Sequence, residues 1–278
     1  AGLEARGLLD DAGLGGSDLY VRVVGGLADV LTLIGRYDDA EALYDEAIQT
    51  SRLDLLAAGL GAEIRHHVKV LELKVHDDGV RLTLEAGGRT EVLAARRAVV
   101  TAGGWTTKLL AGVAPLPRLT VTQEQPAHFA ITDGGAQWPG FNHMPGHGDA
   151  YGYWRSPVYG MQTPGEGIKA GWHGVGPVVD PDRRSFAAEP EQRAALQRYA
   201  RDWLPGVDAD SLTDISCTYT TTVDENFVLD RIGPVVIGAG FSGHGFKFTP
   251  VVGRILADLA TGDGGAPAIF SASRPGVR

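Results

Sequence analysis

The chain has 278 residues, 44% hydrophobic and 21% charged, with a formal net charge of −9 and a single cysteine. This composition suits one large globular domain or two modest ones. It offers no basic stripe for nucleic acid or an anionic membrane surface, and no apolar run of the roughly 18–20 residues that a membrane span needs.

The lone cysteine excludes an internal disulfide framework and fits a reducing, cytoplasmic compartment. No signal peptide is read at Ala1, and a start without Met suggests a trimmed chain or a fragment. Residues 1–52 read as helical. Leu27-Ala28, Leu31, Gly35 to Ala40, Tyr44 and Ala47 fall at the offsets of one tetratricopeptide repeat. Small residues at 28, 40 and 47 let two antiparallel helices approach, and Gly35 breaks between them. A simple helical hairpin with a chance match is the alternative. One repeat cannot bury its own face, so residues 24–50 are expected to contact something else, another protein included.

Residues 53–61 read as a helix closed by Gly59 or Gly61. Strands are predicted over 62–73 and 79–85, with Asp77-Asp78-Gly79 as the turn and Ala86-Gly87-Gly88-Arg89 as another. His66 and His67 would then point to opposite strand faces. Residues 98–102 read as a buried strand. Residues 115–232 alternate short strands with Gly/Pro turns around one helix over 190–203, whose start is acidic from Glu189 onward. The beta-rich run 234–237 leads into Gly238-Ala239-Gly240-Phe241-Ser242-Gly243-His244-Gly245-Phe246-Lys247, and a helix follows with Thr249 as N-cap and Pro250 as first residue.

Residues 238–243 match the GxGxxG string of dinucleotide sites. There, however, the glycines abut a helix N-terminus, so that the pyrophosphate meets free N–H groups. Here five residues, His244 to Phe248, separate Gly243 from Thr249, which makes a crossing loop between strand and helix. Such strings are also common: Gly165-Glu166-Gly167-Ile168-Lys169-Ala170 fits the looser form. His143 and His147 with Asp149 have metal-like spacing, but Pro145, Gly146 and Gly148 rule out a helix presenting both rings, and no metal is expected. No Ser/His/Asp elbow or paired-carboxylate pattern stands out.

The wider string Gly-Phe-Ser-Gly-His-Gly-Phe-Lys-Phe, followed by a helix, resembles the C-terminal segment of the monomeric sarcosine oxidase and N-methyl amino acid oxidase family. Three earlier blocks share the resemblance: Ala98 to Trp105 with Lys108-Leu109-Leu110; Ile168 to His173 with Asp180-Pro181-Asp182; and Ser216-Cys217-Thr218-Tyr219 with Asp224-Glu225-Asn226-Phe227. Together they cover roughly residues 53–275. The resemblance implies an α/β (α+β) fold: a partial FAD-binding Rossmann-like domain at 53–114, a mixed-sheet substrate domain at 115–232, and a return to the FAD-binding domain at 233–278. The βαβ unit that opens family members, with its true fingerprint and distant acid, has no counterpart in residues 1–60. A family arginine for the substrate carboxylate is lost with it.

The implied chemistry is FAD-dependent oxidation of the C–N bond of a secondary amine or N-methyl amino acid, with oxygen reduced to hydrogen peroxide. Lys169 matches the lysine credited with oxygen activation, where a cation stabilises superoxide. His173 matches an active-site histidine, and four residues along a strand keep both on one face. Lys247 matches the lysine that holds the substrate carboxylate. Tyr159, after a one-residue gap, and Tyr219 match pocket residues. Cys217 stands where the family bonds flavin covalently. Gly243, His244, Gly245, Phe246 and Lys247 would present backbone N–H groups to the flavin edge. Against these stand plainer roles: a buried structural cysteine, a solvated lysine, an edge strand with a polar face, and packed tyrosines and histidines. An amine dehydrogenase, or a scaffold that no longer binds FAD, are the alternative functions.

Overall fold

The computed structural model describes residues 63, 65–132 and 138–277; the repeat-like segment and the helix read over 53–61 lie outside them. The strands and helices, in chain order, are β1 (Val68–His76), β2 (Gly79–Ala86), β3 (Arg89–Ala95), β4 (Ala98–Val100), α1 (Thr106–Leu109), β5 (Leu119–Glu124), β6 (Ala127–Phe129), β7 (Phe141–His143) and β8 (Val158–Thr163). They continue as β9 (Gly167–Trp172), α2 (Pro190–Trp203), β10 (Thr213–Asp214), β11 (Cys217–Thr222), β12 (Val228–Ile232), β13 (Val235–Ala239) and α3 (Thr249–Thr261). The fold is α/β, in two compact units.

Unit one comprises Glu124–Val175 and Ser185–Cys217, with Arg65 also assigned to it. Its sheet runs β10-β6-β9-β8-β7, and each pair is antiparallel. Alternation sorts its side chains. Ala127, Phe129, Val158, Ile168, Ala170 and Trp172 enter one core with α2, while His128, Tyr159, Met161 and Lys169 fall on the other face, as the period of two requires. Helix α2 matches its expected bounds. Pro190 opens it, and the Glu189 carboxylate accepts from the Gln192 N–H at 3.1 Å, satisfying a donor the helix cannot. Ala195, Leu196, Tyr199 and Ala200 form its buried face. Around them the rings of Trp154, Trp172, Trp203 and Tyr199 meet edge to face.

Unit two comprises His66–Gln123, Gly176–Arg184 and Thr218–Arg278. It holds the antiparallel meander β1-β2-β3 and the sheet β12-β13-β4, in which β12 pairs antiparallel and β4 parallel to β13. The unit-one sheet, where a mixed sheet was expected for residues 115–232, is antiparallel; mixed pairing occurs in the β12-β13-β4 sheet, of which only β12 lies in that range. All five residues of β13 are buried: Val235 and Ile237 face one core and Val236 the other. An unbroken apolar run is what a strand covered on both faces needs.

Several boundaries differ from the sequence reading. β1 begins at Val68, so His66 and His67 form a bend before it, with His67 at φ 53°, instead of facing opposite sides of a strand. β4 ends at Val100, as the chain turns through Gly103 at φ 50°. β3 was not anticipated: its pattern is exposed almost throughout, leaving no alternation to read. α3 starts at Thr249, with Phe248 as N-cap and a single 3₁₀ turn, Phe246–Phe248, before it. Thr249 therefore does not cap; its hydroxyl donates to the Phe246 carbonyl. Gly262, at φ 92°, closes α3 by donating its N–H to Asp258 at 2.9 Å, a left-handed C-cap.

Within unit two the resemblance blocks bind one another. The Trp105 indole donates to Asp182 at 2.7 Å, and Lys108 bridges Asp180 and Asp182. The Asp180 carboxylate, and then that of Asp182, raise the Lys108 pKa. The Arg274 guanidinium grips both oxygens of Asp224 at 2.7 and 2.8 Å and also donates to the carbonyls of Asn226, Phe227 and Ser271. Phe227 packs against Phe241, Phe248 and Phe270.

Candidate active site

The glycine string is set by three different neighbours. A Cβ on Gly238 would sit 2.9 Å from Leu256 and 3.1 Å from Thr101, so this glycine lets β13 lie close to α3. One on Gly240, at φ 64°, would sit 2.7 Å from Thr222. One on Gly243, at φ 74°, would strike the Tyr219 ring at 2.2 Å. Ser242 also has positive φ, 51°. The string is therefore a tight crossing loop, with the start of α3 held away by the 3₁₀ turn.

That loop is fastened on both sides. Ser242 N–H donates to Thr220 on β11 at 3.0 Å. The His244 ring lies 5.1 Å from Phe227, and its Nε2 is 3.1 Å from the Glu225 carbonyl. Lys247 is exposed; its Nζ donates to the His244 carbonyl at 2.9 Å and lies 5.0 Å above the Phe248 ring. Phe246 is 86% exposed. The N–H groups of Gly243 and Gly245 have no carbonyl acceptor among the described residues. Tyr219 is buried behind the loop. Cys217, a half-buried thiol outside any disulfide, opens β11.

In unit one, the register pairs Tyr159 with Gly171, Met161 with Lys169 and His128 with Lys169. Tyr159, Met161, Lys169 and His128 therefore share one sheet face. His173 follows the end of β9. Its N–H is held by the Ser156 hydroxyl at 2.8 Å, and its ring stands perpendicular to that of Tyr159, centroids 6.4 Å apart. A side chain at Gly171 would press on Pro126 and Tyr159, so the glycine leaves room for the tyrosine. Lys169 is half-buried, and no carboxylate pairs with it among the described residues.

His128 was missed. It is 5% exposed, with Nδ1 3.0 Å from a Glu166 oxygen and Nε2 3.2 Å from the Thr163 hydroxyl. Burial pushes its pKa down to about 4, and the Lys169 charge adds to the effect. The ring is thus neutral at pH 7, and its approach to Glu166 is no charge pair. A single histidine between apolar neighbours carries no motif; only strand pairing reveals that it faces Lys169. His143, by contrast, belongs to the aromatic core, its Nδ1 3.1 Å from the Tyr199 hydroxyl, whose pKa burial pushes up. Among the described residues no cluster of three His, Cys, Asp or Glu could hold a metal, and no helix is long and apolar enough to cross a membrane.

The residues present fit one edge of FAD. Two unused N–H groups in a loop too tight for side chains suit the approach of a flat, electron-accepting ring that gains negative charge. The described residues provide no strand–GxGxxG–helix unit for its pyrophosphate.

Comparison with known proteins agrees. Residues 36–259 match the FAD dependent oxidoreductase (DAO) family. The chain is 36% identical over 215 residues to monomeric sarcosine oxidase from Bacillus sp. (strain NS-129), covering 74% of this chain and 53% of the relative. It is 30% identical over 195 residues to N-methyl-L-tryptophan oxidase from Salmonella arizonae, covering 67% and 49%. The solved structure of NikD, described as an unusual amino acid oxidase essential for nikkomycin biosynthesis, superposes with a TM-score of 0.65 at 26% identity, over 81% of this chain and 59% of that one. The chain spans about half the length of the curated relatives it matches. It belongs to the FAD-dependent oxidoreductase (DAO) family, on its sarcosine oxidase and N-methyl amino acid oxidase branch, whose cofactor is FAD.

Proposed function

We propose that this chain carries the substrate sheet and flavin-edge loop of an oxidase that acts on the C–N bond of a secondary amine or N-methyl amino acid, giving an imine and hydrogen peroxide. The observation that carries the reading is Lys169: a half-buried cation without a carboxylate partner among the described residues, on the face shared with Tyr159. When bound, FAD supplies the acceptor for the two electrons leaving the C–N bond. The Lys169 ammonium stabilises negative charge developing on oxygen. Tyr159 and His173 bound the amine on the unit-one face. Lys247, whose Nζ uses one N–H on His244, offers its others to a substrate carboxylate. Tyr219 backs the glycine loop, the N–H groups of Gly243 and Gly245 would hold the flavin edge, and the Cys217 thiol would provide a tether.

The test is spectroscopic. The purified chain is scanned for flavin absorbance before and after FAD addition, then precipitated with acid. Colour in the pellet supports attachment at Cys217, and peroxide release on adding sarcosine supports the substrate class. Lys169→Met is expected to slow reaction with oxygen by at least about tenfold while flavin reduction changes little; equal losses in both steps would count against its role. A chain that stays colourless with FAD overturns the catalytic reading. It would favour the alternative scaffold.

A further inference from the structure

At the amino ends of β4 and β13, remote along the strands from the glycine loop, unit two has a cleft of about 920 Å³. Three guanidinium groups line it: Arg96 and Arg97, which lead into β4, and Arg231 of β12. Two of them are fixed by the end of α3. Arg97 donates to the Ala260 carbonyl, and Arg231 donates to the Leu259 and Gly233 carbonyls at 3.4 and 3.0 Å. The Leu259 and Ala260 carbonyls belong to the partly negative C-terminal end of a helix, which attracts cations, whereas Gly233 lies in the β12–β13 turn. Each guanidinium has five N–H donors, so both retain several. Arg96 has no hydrogen bond or ion pair among the described residues.

The charge balance of the cleft runs against that of the chain. Asp78, on its rim, is answered by both guanidinium nitrogens of Arg81, at 3.1 and 3.2 Å. Asp77 remains as the acid against three arginines. Planar guanidinium forks, two of them held in place, match the oxygens of a tetrahedral anion better than they match any single carbonyl. Helix capping accounts for Arg97 and Arg231 in part, but not for Arg96.

We propose that this cleft binds a compact oxyanion, either free phosphate or the phosphate group of a monoester. The site does not depend on the flavin reading, because it lies at the ends of β4 and β13 opposite the glycine loop.

The experiment follows the arginine Nε–H resonances of the ¹⁵N-labelled chain during titration with inorganic phosphate and, separately, glycerol 3-phosphate. Ionic strength is matched with chloride. Saturable shifts at Arg96 and Arg231 in either arm support the proposal, and the tighter arm identifies the source. Arg96→Ala is expected to weaken binding about tenfold with an unchanged thermal midpoint; Arg96→Lys, which keeps the charge and loses the fork, should fall between. Chloride producing the same shifts, no saturation in either arm, or unaltered binding by the Ala variant would overturn it. The titration is repeated with FAD present. An unchanged response supports an independent site; displacement of phosphate by FAD would assign the cleft to the cofactor and sink the proposal.

Discussion

At the scale of single residues, geometry separates glycines that sequence alone cannot rank. Gly87 and Gly243 both have positive φ, 55° and 74°, but a Cβ on Gly87 meets nothing within 4 Å whereas one on Gly243 meets Tyr219 at 2.2 Å. Gly87→Ala should cost about 1 kcal/mol of backbone strain, and Gly243→Ala about 3 kcal/mol once the ring must also shift. Urea midpoints compare them directly; equal losses would show that Tyr219 yields freely. The charged clamp on Asp224 provides a second case. Arg274 is 7% exposed, so Asp224→Ala leaves a buried guanidinium short of its partner and should cost about 3 kcal/mol, read from the same urea curves. A loss below about 1 kcal/mol would place the pair among ordinary surface ion pairs. The Asp224 block was legible in the sequence as a resemblance. Its partner, fifty positions on, was not, because an arginine near a chain end carries no local signature.

At the scale of elements, legibility followed local chemistry. α2 was read to the residue because Glu189-Pro190 marks its start and its apolar residues repeat at helical spacing. The β1–β2 hairpin was read from Asp77-Asp78-Gly79, although its first strand began late. β3 was lost because its side chains do not alternate in burial. The shared face of Lys169 and His173 was legible from their spacing; the neighbours on that face come from register with β6 and β8, which a single strand does not encode. Leu196, 1% exposed at the centre of the α2 face, tests the element. Leu196→Ala should cost about 3 kcal/mol through lost burial and the cavity left behind. A shift in the thermal midpoint of under about 2 °C would mean that α2 is held by its aromatic neighbours instead.

At the scale of the whole molecule, each unit carries its own acid-sensitive group, and the two titrate in different windows. His128 of unit one has a folded pKa lowered from 6.5 to about 4. The unfolded chain therefore binds the proton first, and stability falls as pH drops from about 6.5 to about 4. Asp224 of unit two is held below the ordinary carboxylate range, chiefly by Arg274. Its contribution is complete above 3.8 and is lost as pH falls below that value. Denaturant titrations at stepped pH, read through tryptophan fluorescence, should register the first loss, since the tryptophans of unit one surround Tyr199. His128→Gln should flatten the slope between pH 6.5 and 4 and leave the lower window intact. A slope unchanged by that substitution would show that another group sets the acid response.

The glycine string has a consequence for how this region can drift over time. Its three constraints come from separate neighbours, and only one of them rests on side-chain contact alone. Gly238 is limited by the side chains of Leu256 and Thr101, and Gly238→Ala should become tolerable in a Leu256→Val background. Gly240 and Gly243 are limited by backbone angle as well, and trimming Thr222 or Tyr219 should not free them. Related sequences that lose the first glycine are therefore expected to carry a smaller residue at the position of Leu256, whereas the other two glycines have no such escape by compensation.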